Sequence, residues 1–273
     1  MPKKSFLQRI KTELRFARYM TGTNLQGAME LRSSFFLQVF GMMLNNTAHL
    51  SLWIYFFHVF GTINGWTRVE VIGLQGILAL TFGIGMSFAN GVSHLPEYVD
   101  RGVFDQFLLS PRNLYLRIMI NRIGVSSLGD ILFGVVLITV YFVMASATFA
   151  QIFILLSLLP AVVCLFINYM FVINLIGFLI PDASSLVKNL FVLQLAPATY
   201  PYSLFQGVFR TFFIFIVPGL TTAGLPIDIV RLFNLKDYAI VWIVSIVWTT
   251  LAWFLLKKAV RRYESGNLTG ARV

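Results

Sequence analysis

One acidic residue lies within an apolar run, and its type and position make it the first candidate for a functional role. Asp130 is the one acid inside a clear apolar run, and it follows Arg122 by eight residues. A carboxylate at membrane depth is costly, which favours a role in transport or coupling. The alternative is that Asp130 reaches the membrane interface, because Arg122 lies about two helical turns away.

Other polar residues in the apolar runs form no catalytic or metal-binding set. His49 and His58 are nine residues apart, so they lie on different faces of a helix, and no nearby acid or cysteine completes a metal site. We therefore predict no catalytic residue and no metal ligand. Four asparagines are expected to bond to neighbouring helices or to face a cavity: Asn45, Asn46, Asn168 and Asn174.

The composition places these residues in an all-α integral membrane protein. The chain is 58% hydrophobic and 12% charged, whereas soluble domains are about 25% charged. Its mean hydropathy is +0.79. A soluble core of this length would not bury so much apolar surface. The net charge of +10 does not indicate nucleic acid, because the basic residues flank the apolar runs.

Hydropathy predicts six transmembrane helices and a single transmembrane domain over residues 33–260. The fourth run is long enough to tilt, and the fifth follows a Pro-Asp pair. The predicted spans are Ser34–Phe57, Val69–Val92, Ile123–Met144, Ile152–Ile180, a run beginning near Ser184, and Tyr238–Leu256.

The segments outside the spans are an N-terminal leader (1–32) and a C-terminal tail (261–273). Apolar residues recur in the leader at steps of three and four, which predicts an amphipathic helix lying in the membrane interface. The alternative is a solvated basic leader. The residues of the apolar face are Leu7, Ile10, Leu14 and Ala17.

Basic residues predict the orientation of the spans. Of the 21 Lys and Arg residues, 17 fall on the side that holds the leader, the segment after the second span and the tail. Since cytoplasmic segments carry the excess of basic residues, both termini are predicted to be cytoplasmic. An even number of spans agrees with this.

The stretch before the last span is apolar but interrupted by prolines and glycines. A continuous membrane helix here would leave backbone groups facing lipid. We therefore predict short re-entrant helices on the outer side, between about Tyr202 and Leu232. The main interruptions are Pro201, Pro218 and Pro226.

A charged segment between the second and third spans is predicted to form one short cytoplasmic helix, from Glu97 to Leu109. Val99, Val103 and Phe107 recur at steps of four, and Pro111 ends the pattern. Its aromatic residues are expected to be exposed. Such a helix either rests on the membrane or inserts into a groove on a partner.

The chain resembles the permease subunits of the ABC type-2 exporter family, especially its six-span multidrug-type branch. Four features in this order carry the resemblance: the basic leader, the stretch from Arg101 to Pro111, the interrupted run from Pro201 to Pro218, and the ending from Arg261 to Ser265.

The resemblance implies a transport subunit that pairs with a second permease chain and rests on two ABC ATPase subunits. It also implies export of amphipathic drugs, lipids or lipid-linked molecules across the cell membrane. The chain contains no phosphate-binding loop motif, so ATP and Mg are expected on the partner ATPase and no cofactor on this chain. The implied coupling helix would contact the ATPase through Glu97, Tyr98, Asp100, Arg101, Gly102, Phe104, Asp105, Phe107 and Leu108.

The residues alone leave two other classes of membrane protein open. A secondary transporter would need its own coupling site, for which Asp130 is the one buried acid. An integral membrane enzyme would need clustered catalytic groups at the membrane edge, whereas the acids here are scattered.

Overall fold

The computed structural model describes residues 6–263, and this part of the chain is helical apart from turns and one isolated β-bridge. Three 3-10 turns supplement the α-helices, at Asn90–His94, Leu175–Phe178 and Tyr202–Leu204. The helices are α1 (Phe6–Met29), α2 (Arg32–Phe60), α3 (Arg68–Ala89), α4 (Leu95–Asp100), α5 (Asp105–Leu108), α6 (Leu114–Met119), α7 (Ser127–Met144), α8 (Phe149–Asn174), α9 (Ser184–Ala198), α10 (Gly207–Phe215), α11 (Gly219–Thr222), α12 (Gly224–Arg231) and α13 (Leu235–Arg262).

Side chains that cap the first turn fix where the long helices begin. Thr67 and Glu70 form a capping box at α3, and Thr148 and Gln151 form another at α8. Each pair satisfies backbone N–H groups that the first turn leaves without a partner. Asn234 caps α13, where it accepts a hydrogen bond from the Lys236 N–H.

Four helical stretches are long and apolar enough to cross a membrane: Arg68–Asp100, Ser127–Met144, Phe149–Phe178 and Leu235–Arg262. They correspond to the second, third, fourth and sixth predicted spans. The six-span count stays a prediction. Helix α2 has 29 residues but carries polar side chains at its centre, and α9 has 15 residues, fewer than the roughly 20 that span a bilayer.

Glycines bring α3 into backbone contact with its neighbours. A Cβ on Gly83 would lie 2.7 Å from Ile131 N of α7, and a Cβ on Gly134 would lie 2.7 Å from Leu80 N of α3. A Cβ on Gly85 would lie 2.5 Å from the Phe166 ring of α8. The small size of these glycines therefore lets α7 and α8 lie close against α3.

The leader forms one long helix, α1, which contacts the segments just before and just after α6. The Asn24 side chain donates to the Ile120 carbonyl at 2.9 Å, and Arg112 pairs with Glu13 at 3.8 Å. Its apolar side chains Leu7, Ile10 and Leu14 are exposed, so the interfacial position stays a prediction. Most of the tail, residues 264–273, lies outside the described residues.

The stretch between α9 and α13 is divided into short helices, which confirms the predicted interruption. Pro201 and Pro218 immediately precede the Tyr202–Leu204 turn and α11, and Pro226 lies in the first turn of α12. Helix α11 is wholly buried, and a Cβ on Gly219 would lie 2.3 Å from the Gln194 carbonyl oxygen of α9. The irregular backbone therefore packs against protein; its re-entry from the outer side stays a prediction.

Candidate functional site

The segment Leu95–Leu109, here called the connector, follows α3 and is not the single helix that the sequence predicts. Gly102 has φ +67°, a conformation that glycine adopts without steric cost. The Gly102 N–H bonds to the Val99 carbonyl and the Phe104 N–H to the Tyr98 carbonyl, so the chain turns after α4 and restarts as α5. The prediction of one helix from Glu97 to Leu109 is therefore wrong.

The aromatic residues of the connector are buried, so the expectation of exposed aromatics is also wrong. Phe104 is 0% exposed. Its ring centroid lies 4.9 Å from that of Phe178, in the 3-10 turn that follows α8, and 5.0 Å from that of Tyr263, after α13. Phe107 is buried beside it at 6.0 Å. The turn at Gly102 lets both rings face inward, where they link the ends of two long helices.

Polar contacts fix the rest of the connector. Glu97 pairs with Arg101 and with His94, each at 3.2 Å. The Tyr98 hydroxyl accepts a hydrogen bond from the Asn121 side chain at 2.9 Å. Arg117 donates to the carbonyls of the last turn of α5, the favourable place for a cation on a helix. The connector is thereby tied to the 3-10 turn at Asn90–His94, to α6 and to the segment between α6 and α7.

One face of the connector points away from the protein. The Arg101 side chain is 71% exposed and Leu109 is 86% exposed. The other exposed members are Asp100, Gln106 and Leu108. Asp105 begins α5 at the edge of this face, and its backbone carbonyl accepts the Leu109 N–H. The connector thus joins a charged and apolar outer face to a buried aromatic inner face.

Asp130 lies in the first turn of α7 and is 2% exposed. Its Oδ1 accepts a hydrogen bond of 2.6 Å from Asn46 of α2, and its Oδ2 has no partner among the described residues. Asn45, Asn46 and Asp130 line one cavity together with Gln75 and His49. The carboxylate therefore faces protein and the cavity, and its depth in the membrane stays a prediction.

The asparagines of α8 make packing contacts. Asn168 accepts from the Tyr115 hydroxyl of α6 and donates to Thr249 of α13 at 3.0 Å. Burial raises the pKa of Tyr115, so its hydroxyl remains a neutral donor. Asn174 donates to the Met170 carbonyl at 2.7 Å and is fully buried. Asn168 thus joins α8 to α6 and α13, whereas the Asn174 bond stays within α8, and neither side chain lines the Asp130 cavity.

A polar cluster at the opposite end of the bundle is absent from the sequence predictions. Arg231 of α12 lies 3.6 Å from Glu70 and 3.5 Å from Asp228. Its guanidinium also donates to the Gly65 carbonyl at 2.6 Å and lies over the Trp66 ring. The Thr67 to Glu70 capping pattern is the one sequence signal at this place, and it predicts a helix start rather than an ion pair.

Within residues 6–263, no three His, Cys, Asp or Glu side chains are grouped closely enough to hold a metal ion.

Comparison with known proteins gives one match. The model of a family described as ABC-2 family transporter protein matches residues 43–267. Searches of curated proteins and of solved structures give no significant match. The family match covers most of the sequence, including the connector, Asp130 and α7 to α13. Together with the long apolar helices, it shows a multi-pass membrane transporter permease: the chain belongs to the ABC-2 transporter family.

Proposed function

We propose that this chain is the permease subunit of an ATP-driven exporter that moves an amphipathic or hydrophobic molecule out of the cytoplasm. Permeases of this family work with ABC ATPase partners in general. ATP and Mg would bind to the partner ATPase, and the transport path would form where this chain meets a second permease chain. Both termini and the connector would then be cytoplasmic, in a cell membrane.

The architecture of the connector carries the proposal. Its outer face presents Arg101, Leu108 and Leu109 to solvent, while Phe104 on its inner face packs against Phe178 and Tyr263. A force applied to the outer face would therefore reach the ends of α8 and α13 through packed rings. Packed side chains transmit displacement well because protein interiors are dense and resist compression.

This arrangement revises the contact set that the sequence suggests. Phe104, Phe107 and Tyr98 are buried within the permease, so they would transmit motion rather than contact the ATPase. Arg101, Leu108 and Leu109 would make the contact, with Asp100 and Gln106 beside them. Gly102 would set the turn that separates the two roles.

A secondary transporter is the second candidate, because Asp130 is a buried acid at a cavity. It is less well supported, since nothing in a purely ion-coupled mechanism requires the connector's exposed face. An integral membrane enzyme is the third, and the described residues bring no nucleophile, base and acid together to support it.

The first prediction tests the connector's outer face. The double variant Arg101→Glu with Leu109→Asp should fold and insert normally, because both side chains are exposed. It should lower capture of the ATPase at least tenfold, which corresponds to about 1.4 kcal/mol. The measurement is purification of tagged permease from its native membrane, with identification of bound chains and of ATPase activity.

The matched control is Arg68→Glu with Leu235→Asp, an exposed Arg and Leu at the other end of the bundle. It should capture the ATPase like the native chain. Equal capture by both double variants would show that the connector is a surface link without a coupling role. Phe104→Ala is unsuitable as a first test, because deleting a buried ring costs about 3–5 kcal/mol of folding stability.

A further inference from the structure

A cavity of about 330 Å³ lies between α2, α3, α7 and the end of α9. Both polar and apolar side chains line this cavity. Six lining residues carry polar or ionisable groups, and six are apolar. The polar lining residues are Asn45, Asn46, His49, Gln75, Asp130 and Thr199, and the apolar ones are Met42, Leu78, Ala79, Phe82, Phe133 and Leu195.

One of the polar lining residues is an acid whose charge no other lining residue balances. Asp130 is 2% exposed, and its Oδ2 has no hydrogen-bond partner among the described residues. No Lys or Arg lines the cavity, and the one other titratable side chain there is His49, whose Nε2 is also buried without a partner. An ionised carboxylate buried without a cation costs several kcal/mol. A ligand with a positive charge would remove this penalty.

Close helix packing holds Asp130 in this position. A Cβ on Gly129 would lie 2.3 Å from the Val39 carbonyl oxygen of α2, and a Cβ on Gly83 would lie 3.0 Å from the Asp130 Cβ. Asn46 and His49 are three residues apart on α2 and so share a face. The carboxylate is therefore fixed between α2 and α3 before any ligand arrives.

We propose that this cavity binds the head group of an amphipathic organic cation, with the Asp130 carboxylate as its counter-ion. The ammonium group would lie against Asp130 and the amide oxygens of Asn45 and Asn46. The hydrocarbon part would lie against Phe82, Phe133 and Leu78. The volume is at the lower end of the range for small-molecule sites. This inference names a substrate class for the proposed export function and rests on it.

An inorganic cation fits the wall less well. Hard cations take about six to eight oxygen ligands. Here half of the residues that line the cavity are apolar and offer such an ion no ligand. An ammonium group needs fewer oxygen contacts, and the apolar residues then have a role in holding its alkyl chain.

The test is equilibrium binding of radiolabelled decyltrimethylammonium to the purified permease in phosphatidylcholine nanodiscs. Native protein should bind it above the level of empty nanodiscs, and decyl sulfonate should not compete. Asp130→Asn should weaken binding at least tenfold. The matched control Asp237→Asn removes an acid of α13 outside the cavity and should bind like the native chain.

Three results would overturn the inference: native-like binding by Asp130→Asn, equal competition by the sulfonate, or displacement by sodium at the same concentration as by the ammonium compound. If Asp130→Asn does not fold, a benzophenone-bearing decylammonium on native protein decides the question. It should crosslink to peptides of α2, α3, α7 or the end of α9, and crosslinking confined to other segments would refute the site. Binding needs no ATPase, so this result is separate from that of the capture experiment.

Discussion

At the scale of single residues, Arg231 is the side chain that joins the most separate parts of the chain at the end opposite the connector. It contacts Glu70 of α3, Asp228 of its own helix, and the loop before α3 through Gly65 and Trp66. Both carboxylates are partly buried and Trp66 is fully buried, so removing the cation would leave two carboxylates without their charged partner. Burial makes such an orphaned charge more costly than a lost surface ion pair.

We therefore expect Arg231→Ala to lower the free energy of unfolding by about 2 kcal/mol or more. The measurement is the midpoint of thermal unfolding of the purified protein in mild detergent. Arg68→Ala is the control, because Arg68 follows Gly65 by three residues and its side chain is exposed. This variant should change the free energy of unfolding by no more than about 0.5 kcal/mol. Equal shifts for the two variants would mean that the Arg231 contacts contribute nothing specific.

At the scale of elements, the approach of α2 to α7 depends on one glycine. The Gly129 backbone meets the Val39 carbonyl at a distance that leaves no room for a methyl group. The same approach places Asn46 within hydrogen-bonding distance of Asp130. The polar contact between the two helices is thus a consequence of their close packing.

Gly129→Ala should push α2 away from α7 and cost about 1–3 kcal/mol through overpacking. It should also open the Asn46–Asp130 contact, detectable as faster hydrogen exchange in α2 and the start of α7. Gly27→Ala provides the comparison: nothing lies near its Cβ position in α1, and alanine favours a helix over glycine by up to about 1 kcal/mol. A native-like exchange pattern in Gly129→Ala would contradict the importance of this approach.

At the scale of the whole molecule, orientation can be tested with single cysteines. In a chain with Cys164→Ser, Thr62→Cys lies in the exposed loop between α2 and α3, and Gln106→Cys lies on the exposed face of the connector. Because the connector side holds the excess of basic residues, a membrane-impermeant maleimide should label Thr62→Cys on intact cells. It should label Gln106→Cys only after the membrane is opened.

Thr62 is a better labelling position in this loop than its neighbour Gly65, for a structural reason. Gly65 has φ +79°, and its carbonyl accepts the Arg231 hydrogen bond, so a cysteine there would disturb the loop. Labelling of Gln106→Cys on intact cells, with Thr62→Cys protected, would invert the proposed topology. Labelling of both from one side would contradict an odd number of crossings between them.

The sequence by itself determined the class of protein, the long apolar helices and the interruption before α13. Each of these depends on local composition: apolar length decides whether a helix can cross a bilayer, and prolines remove backbone donors wherever they stand. The residue pattern also predicted Asp130 and Asn46 as polar groups within apolar runs, although it gave no reason to pair them.

Tertiary structure alone decided which side of the connector is buried. The steps of four between Val99, Val103 and Phe107 predict one helix, but the turn at Gly102 is favoured because it buries Phe104 against Phe178 and Tyr263, residues far away in the sequence. The Arg231 cluster and the Asp130 cavity depend in the same way on contacts between distant segments. A periodic pattern describes one helix at a time, whereas burial is a property of all the helices packed together.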